Sequence, residues 1–239
     1  MAIIDLANPT RFLRIVDRVL PWLIAATVLV FAFGLYRAMN APDDYQQGAT
    51  AKIMFVHVPA AWLGMMGWAL MSVAALGTLV WRHPLADVAG KAAAPVGAAF
   101  TLICLVTGSL WGRPTWGTYW VWDARLTSML VLLLLYLGVM ALYWTAEDPS
   151  RGARAAAILS LVGAVNLPII KFSVDWWNTL HQPASKFAEN DLAPVYQLPF
   201  SLTLLGFMAL FGALWLVRTR AEVWRRQAGR LAIQVAGKA

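Results

Sequence analysis

Three short stretches of the sequence hold residues equipped for ligand chemistry. His57 stands in Phe55-Val-His57-Val-Pro59 and His181 in Thr179-Leu-His181-Gln-Pro183. Each lies two residues before a proline that stiffens the local backbone. Between them runs Trp111-Gly-Arg-Pro-Thr-Trp116-Gly-Thr-Tyr119-Trp120-Val-Trp122-Asp123-Ala-Arg125, with four Trp and one Tyr inside twelve residues. Single tryptophans at helix ends, such as Trp22, Trp81, Trp144 and Trp215, are what a membrane interface attracts. A cluster in one Gly- and Pro-containing segment asks for another explanation. Many large flat faces from one loop suit a flat apolar ligand.

Neutral imidazole is a common iron ligand, and two imidazoles can fill both axial positions of a heme. His57 and His181 are the candidate iron ligands, with Trp111, Trp116, Trp120 and Trp122 as faces over the porphyrin. Arg125, Arg113 and Lys52 are candidates for the propionates, because a guanidinium fork matches a carboxylate. Asp123 reads equally well as a ligand-side acid or as the N-cap of the helix that follows. His83, between Arg82 and Pro84, reads as an ordinary loop residue. The one cysteine, Cys104, excludes an internal disulfide, a Cys-based zinc site and the C-x-x-C-H attachment of covalent heme. It reads as a small apolar residue inside a helix. Any heme here is therefore heme b, bound non-covalently by two His.

These residues need elements to hold them. Of 239 residues, 60% are hydrophobic and 13% charged, too few charges for a soluble surface or a disordered chain. A membrane helix needs roughly 20 apolar residues. Six such runs are predicted, near 19–39, 58–81, 93–111, 126–144, 155–173 and 199–217. The fifth is the weakest, interrupted by Asn166 and Pro168. The fold class is thus an all-α membrane protein, a single six-helix domain over 1–239, with the Trp-rich loop at 111–125. The first run is too long for a cleaved signal and is expected to stay as an anchor.

Charge sets the expected orientation. Thirteen of the 19 Lys and Arg fall on the side of the two termini and the even-numbered connections. That side is predicted to be cytoplasmic. His57, His181 and the Trp-rich loop then share the outer face. The net charge of +7 is a topology signal suited to an anionic lipid surface, and nucleic acid is not needed to explain it. The sequence contains no phosphate-binding G-x-x-x-x-G-K-[ST] loop, no H-E-x-x-H and no G-x-S-x-G. No catalytic acid–base pair stands out inside the helices, and the chain does not read as an enzyme.

The run from Trp111 to Arg125, with Trp120-Val-Trp122-Asp123 at its heart, resembles the tryptophan-rich WWD domain of heme-handling membrane proteins. The histidines before the second helix and after the fifth match that family's flanking pair. The length and six-helix layout match its small members, so the likeness covers nearly the whole chain. Tyr119 departs from the pattern, standing where such loops often carry another Trp. The resemblance implies a protein of the bacterial inner membrane that holds heme at the periplasmic face. It further implies delivery to a periplasmic heme chaperone, cytochrome c maturation protein E, for c-type cytochrome assembly. Implied partners are the ATP-binding-cassette subunits of the maturation complex and a small membrane subunit. Two other readings of the residues stay open. A transporter permease would need polar groups along a path between helices, where only Asn166 and Lys171 qualify. A b-type electron-transfer cytochrome would favour a second heme site on the inner side, where His83 is alone.

Overall fold

The computed structural model describes residues 8–181 and 192–237. Pro183 lies outside them, as do Lys186 and Lys238, two of the 19 Lys and Arg counted for orientation. Among the described residues seven α-helices follow one another: α1 (Pro9–Met39), α2 (Met54–Leu79), α3 (Pro84–Trp116), α4 (Ala124–Thr145), α5 (Pro149–Gly163), α6 (Asn166–Trp176) and α7 (Pro194–Ala236). A 3-10 turn, Ala49–Ile53, leads into α2. Among the described residues six helical spans are long and apolar enough to cross a membrane, with α5 and α6 together making the fifth. The chain is all-α, with no strand among the described residues.

Local chemistry sets the helix ends. Asn8 opens α1 by accepting from the Thr10 and Arg11 amides, and Pro9 fills the first turn, where a missing N–H costs nothing. His83 is more than a loop residue: its Nδ1 accepts from the Leu85 amide at 3.3 Å and caps α3. Asp123 caps α4 through the Leu126 amide at 2.7 Å.

Several boundaries differ from the hydropathy pattern. Helix α3 runs on to Trp116, so half of the expected 111–125 loop is helical and the irregular part is 117–123. A helix stops where a cap stops it, not where the apolar run ends. Here the stop is Gly117, at φ +80°, a left-handed position that favours glycine. His57, expected just before α2, sits in its first turn, and Pro59 follows inside the helix. Helix α7 continues nearly twenty residues past Val217, because the basic tail is built of good helix formers and Glu222 pairs with Arg225 and Arg226. The weak fifth span is two helices. Pro168 has no N–H to offer the Ala164 carbonyl, and the chain there tightens to three-residue bonds (Ala164 to Leu161, Leu167 to Ala164). Buried Asn166 is satisfied by the Ser128 carbonyl at 2.9 Å, so it is a helix-to-helix tie rather than a free polar group.

The core is a backbone-close seam between α2 and α3, crossed by α4. Gly67 faces Gly97, and the Tyr136 ring of α4 lies over both, its hydroxyl donating to the Gly64 carbonyl at 2.7 Å. Close approach through small residues is how membrane helices gain packing without a hydrophobic driving force. Trp68, fully buried, stacks edge-on to Tyr136 and donates to the Ser160 carbonyl, tying in α5. Helix α1 packs chiefly on α7, where Gly34 and Gly206 allow the crossing.

The two ends of the bundle differ in chemistry. One end carries an ionic knot: Lys91 to Glu222 at 3.2 Å, Glu222 to Arg226 at 2.9 Å, Arg226 to Asp87, and the Tyr143 hydroxyl to Asp87 at 2.9 Å. Asp17 and Arg220 pair at 2.7 Å on the same end, so the described chain starts and finishes there. Trp22, Trp81, Trp144 and Trp224 lie exposed toward this end. The other end gathers the connections that hold the histidines and the Trp run. Tyr196 donates to the Pro42 carbonyl at 3.0 Å and Trp111 to Gln47 at 2.7 Å, binding these connections together.

Candidate functional site

His57 is held by α3. Its Nδ1 lies 3.1 Å from the Cys104 carbonyl and 3.1 Å from Thr107 Oγ1. A carbonyl only accepts, and the Thr107 hydroxyl already donates to the Ile103 carbonyl at 2.6 Å. The proton is therefore assigned to Nδ1, which donates, and Nε2 keeps its lone pair. The ring is wedged: a Cβ built on Gly108 would stand 2.8 Å from its Cε1. Trp111 meets it edge-on with centroids 5.7 Å apart.

His181 is held by the Trp-rich loop. Its Nδ1 lies 2.9 Å from Asp123 Oδ2. Burial works against the Asp123 charge, but hydrogen bonds from Thr179, the Leu126 amide and His181 outweigh it and keep the carboxyl below its ordinary value. Burial likewise keeps His181 below the usual imidazole value, against the pull of Asp123, which favours the neutral ring. An ionised carboxylate only accepts, so Nδ1–H donates and Nε2 is again free. A carboxylate behind a histidine in this way fixes its tautomer and raises its basicity as a metal ligand. Trp116 packs against the His181 ring with centroids 4.7 Å apart.

The loop owes its path to a few contacts. Gly117 ends α3, the Ser109 hydroxyl donates to the Tyr119 carbonyl at 2.7 Å, and Asp123 starts α4. Trp120 and Trp122 pack edge-on at 5.5 Å. Trp122 is 77% exposed, whereas Trp120 turns inward and its buried Nε1 finds no partner among the described residues. Arg125 binds Ser173 Oγ at 3.2 Å and the Lys171 carbonyl at 3.4 Å, and lies within electrostatic range of both histidines. Arg113 reaches back to the Gly117 carbonyl and covers the Tyr119 ring. Lys52 is engaged by Asp43 at 2.8 Å.

The structure thus gathers His57, His181, Trp111, Trp116, Trp120, Trp122, Asp123 and Arg125 at one end of the bundle. All three basic candidates have local partners, and of them Arg125 is the one within electrostatic range of both histidines. Four contributors escaped the sequence reading: Thr179, Thr107, Gln47 and the Cys104 carbonyl. Only Thr179 left a trace there, as a hydroxyl two residues before His181.

Two imidazole donors do not complete a metal site by themselves, and no group of three or more His, Cys, Asp or Glu able to hold a bare ion occurs among the described residues. They suit a metal that brings its other ligands with it, as a porphyrin iron does. Fold and site together define a multi-pass helical membrane protein with an aromatic-lined, two-histidine site at one end. The family described as heme exporter protein C (CcmC) matches residues 2–234, and the chain belongs to it. It is 63% identical to heme exporter protein C of Bradyrhizobium diazoefficiens, over the whole of this chain and 91% of that protein. It is 47% identical to the Paracoccus denitrificans protein of the same name, over 97% of each chain. For the Escherichia coli K12 protein the identity is 49%, over 90% of this chain and 88% of the other.

Proposed function

We propose that this protein binds heme b non-covalently through His57 and His181 at the periplasmic face of the bacterial inner membrane. It delivers that heme to a periplasmic heme chaperone, cytochrome c maturation protein E, for c-type cytochrome assembly. Heme is its cargo, and the protein performs no chemistry of its own upon it. The observation that carries the reading is the matched state of the two imidazoles. Each has Nδ1 engaged and Nε2 free, and both stand at the end that holds the Trp run. Membership of the heme exporter protein C family supports the same cargo.

Trp111 and Trp116, already edge-on to the two imidazoles, would supply aromatic faces to a porphyrin. Trp120 offers an unpaired indole N–H, and Arg125 offers a positive charge for a propionate. The ATP-binding-cassette subunits of the maturation complex and a small membrane subunit are the expected neighbours. The Lys and Arg bias supports an orientation with the ionic knot in the cytoplasm and the histidine end outside.

The test is the spectrum of the purified protein. A low-spin absorption spectrum with a two-imidazole electron paramagnetic resonance signature is expected, with all heme extracted by acid–acetone. A colourless preparation from heme-replete cells, or heme that stays on the chain, would overturn the reading.

A further inference from the structure

The two histidines present the same atom but are held very differently. His57 belongs to the hydrogen-bonded first turn of α2, and its ring is gripped by α3 through Cys104, Thr107 and the Gly108 wedge. The α2–α3 seam is closely packed, with Gly67 against Gly97 and Gly64 against Thr101. His181 lies outside any helix, past the C-cap of α6 at Trp177. Its ring is positioned from the 116–123 segment and from Thr179 alone among the described residues.

Within that arrangement the Thr179 hydroxyl is the junction. It donates to Asp123 Oδ2 and accepts from the His181 amide at 3.1 Å. Asp123 in turn spends its other oxygen on the start of α4. One hydroxyl therefore fixes the carboxylate, the backbone of His181 and, through the carboxylate, the imidazole tautomer.

From this we infer that His181 is the axial ligand that lets go first when heme is handed on, that His57 holds until last, and that Thr179 is the positioning residue that latches His181 in place. The inference rests on the two-histidine reading above. The first step of release breaks one dative bond: the Nε2 lone pair leaves with His181, a neutral or anionic donor from the acceptor takes the vacated iron position, and the His57 bond breaks afterwards as the heme departs. No electron or proton needs to change hands.

Carbon monoxide is a suitable probe, because it binds ferrous heme only after one axial imidazole has dissociated. The holoprotein is reduced with dithionite and the rate of carbon monoxide binding is followed in the Soret band. Thr179→Val should raise that rate roughly tenfold, the usual scale for losing an outer-shell partner of a metal-bound histidine. Thr179→Ser keeps the hydroxyl and should stay close to wild type. Thr107→Val, which touches only the His57 side, should raise the rate less than Thr179→Val does. If Thr179→Val fails to accumulate, the smaller Thr179→Ala serves in its place. A rate in Thr179→Val equal to wild type, or a larger increase in Thr107→Val, overturns the assignment of His181 as the labile ligand. A wild-type protein whose spectrum is not that of two axial imidazoles overturns the parent reading and this one with it, so the two failures are separable.

Discussion

Replacing His57 or His181 by Ala removes one Nε2 donor and leaves the other with the Trp faces intact. Each variant is expected to keep part of its heme, with an altered spectrum, and to lose at least roughly tenfold in delivery to the chaperone. His83→Ala should cost only an N-cap, about 1 kcal/mol, and leave delivery unchanged. Heme content and chaperone loading measured on all three separate these outcomes. Asp123→Asn is more discriminating. Asn caps a helix as well as Asp does, so the melting temperature should hold. Its single oxygen cannot serve both Leu126 and the Thr179–His181 pair, so the heme-to-protein ratio should fall sharply. At this scale the sequence displayed the donors by type: two outer histidines and a crowded Trp run. It hid the Cys104 carbonyl, since every residue has one, and Thr107, whose role exists only because α3 faces His57.

Helices in this protein meet where backbones can touch. Gly97 sits beneath the Tyr136 ring, so Gly97→Leu forces the α2–α3–α4 junction apart and should cost about 1–3 kcal/mol. A Cβ built on Gly212 of α7 meets nothing within 4 Å, so Gly212→Ala should be neutral or mildly stabilising. Thermal unfolding in detergent, read on the two variants side by side, checks the contrast. All six spans were legible as apolar runs, including the flaw at Asn166 and Pro168. Their ends were not. Hydropathy reports where the bilayer's interior stops, whereas α3 stops at Gly117 and α7 runs on because Glu222, Arg225 and Arg226 favour a helix in water.

For the molecule as a whole, the expected orientation can be read with a thiol reagent that does not cross membranes, in a Cys104→Ala background that leaves no other cysteine. Tyr45→Cys, at the histidine end, should label in intact cells stripped of their outer membrane. Ser150→Cys, at the opposite end, should label only after permeabilisation. The reverse pattern would place the site in the cytoplasm and exclude a periplasmic acceptor. Substitutions at Trp116, Trp120 and Trp122 should impair transfer in two separable ways. Those facing the histidines lose heme, and exposed Trp122 keeps heme but loses co-purification with the chaperone. Normal heme and a normal complex in every such variant would reduce the cluster to an interfacial belt. The ionic knot was invisible beforehand, because Asp87 and Lys91 stand far from Glu222 and Arg226 in the chain and meet them only once α3 and α7 pack.

The partition of tryptophan between the two ends has an optical consequence. Trp111, Trp116, Trp120, Trp122, Trp176 and Trp177 gather at the histidine end, whereas Trp22, Trp81, Trp144 and Trp224 stand toward the far one. Heme absorbs where indole emits, and energy transfer between them fades steeply with distance. A porphyrin seated between the imidazoles would darken the first group more than the second. The protein therefore carries its own fluorimeter, and the arrival and departure of its cargo can be timed without attaching a dye.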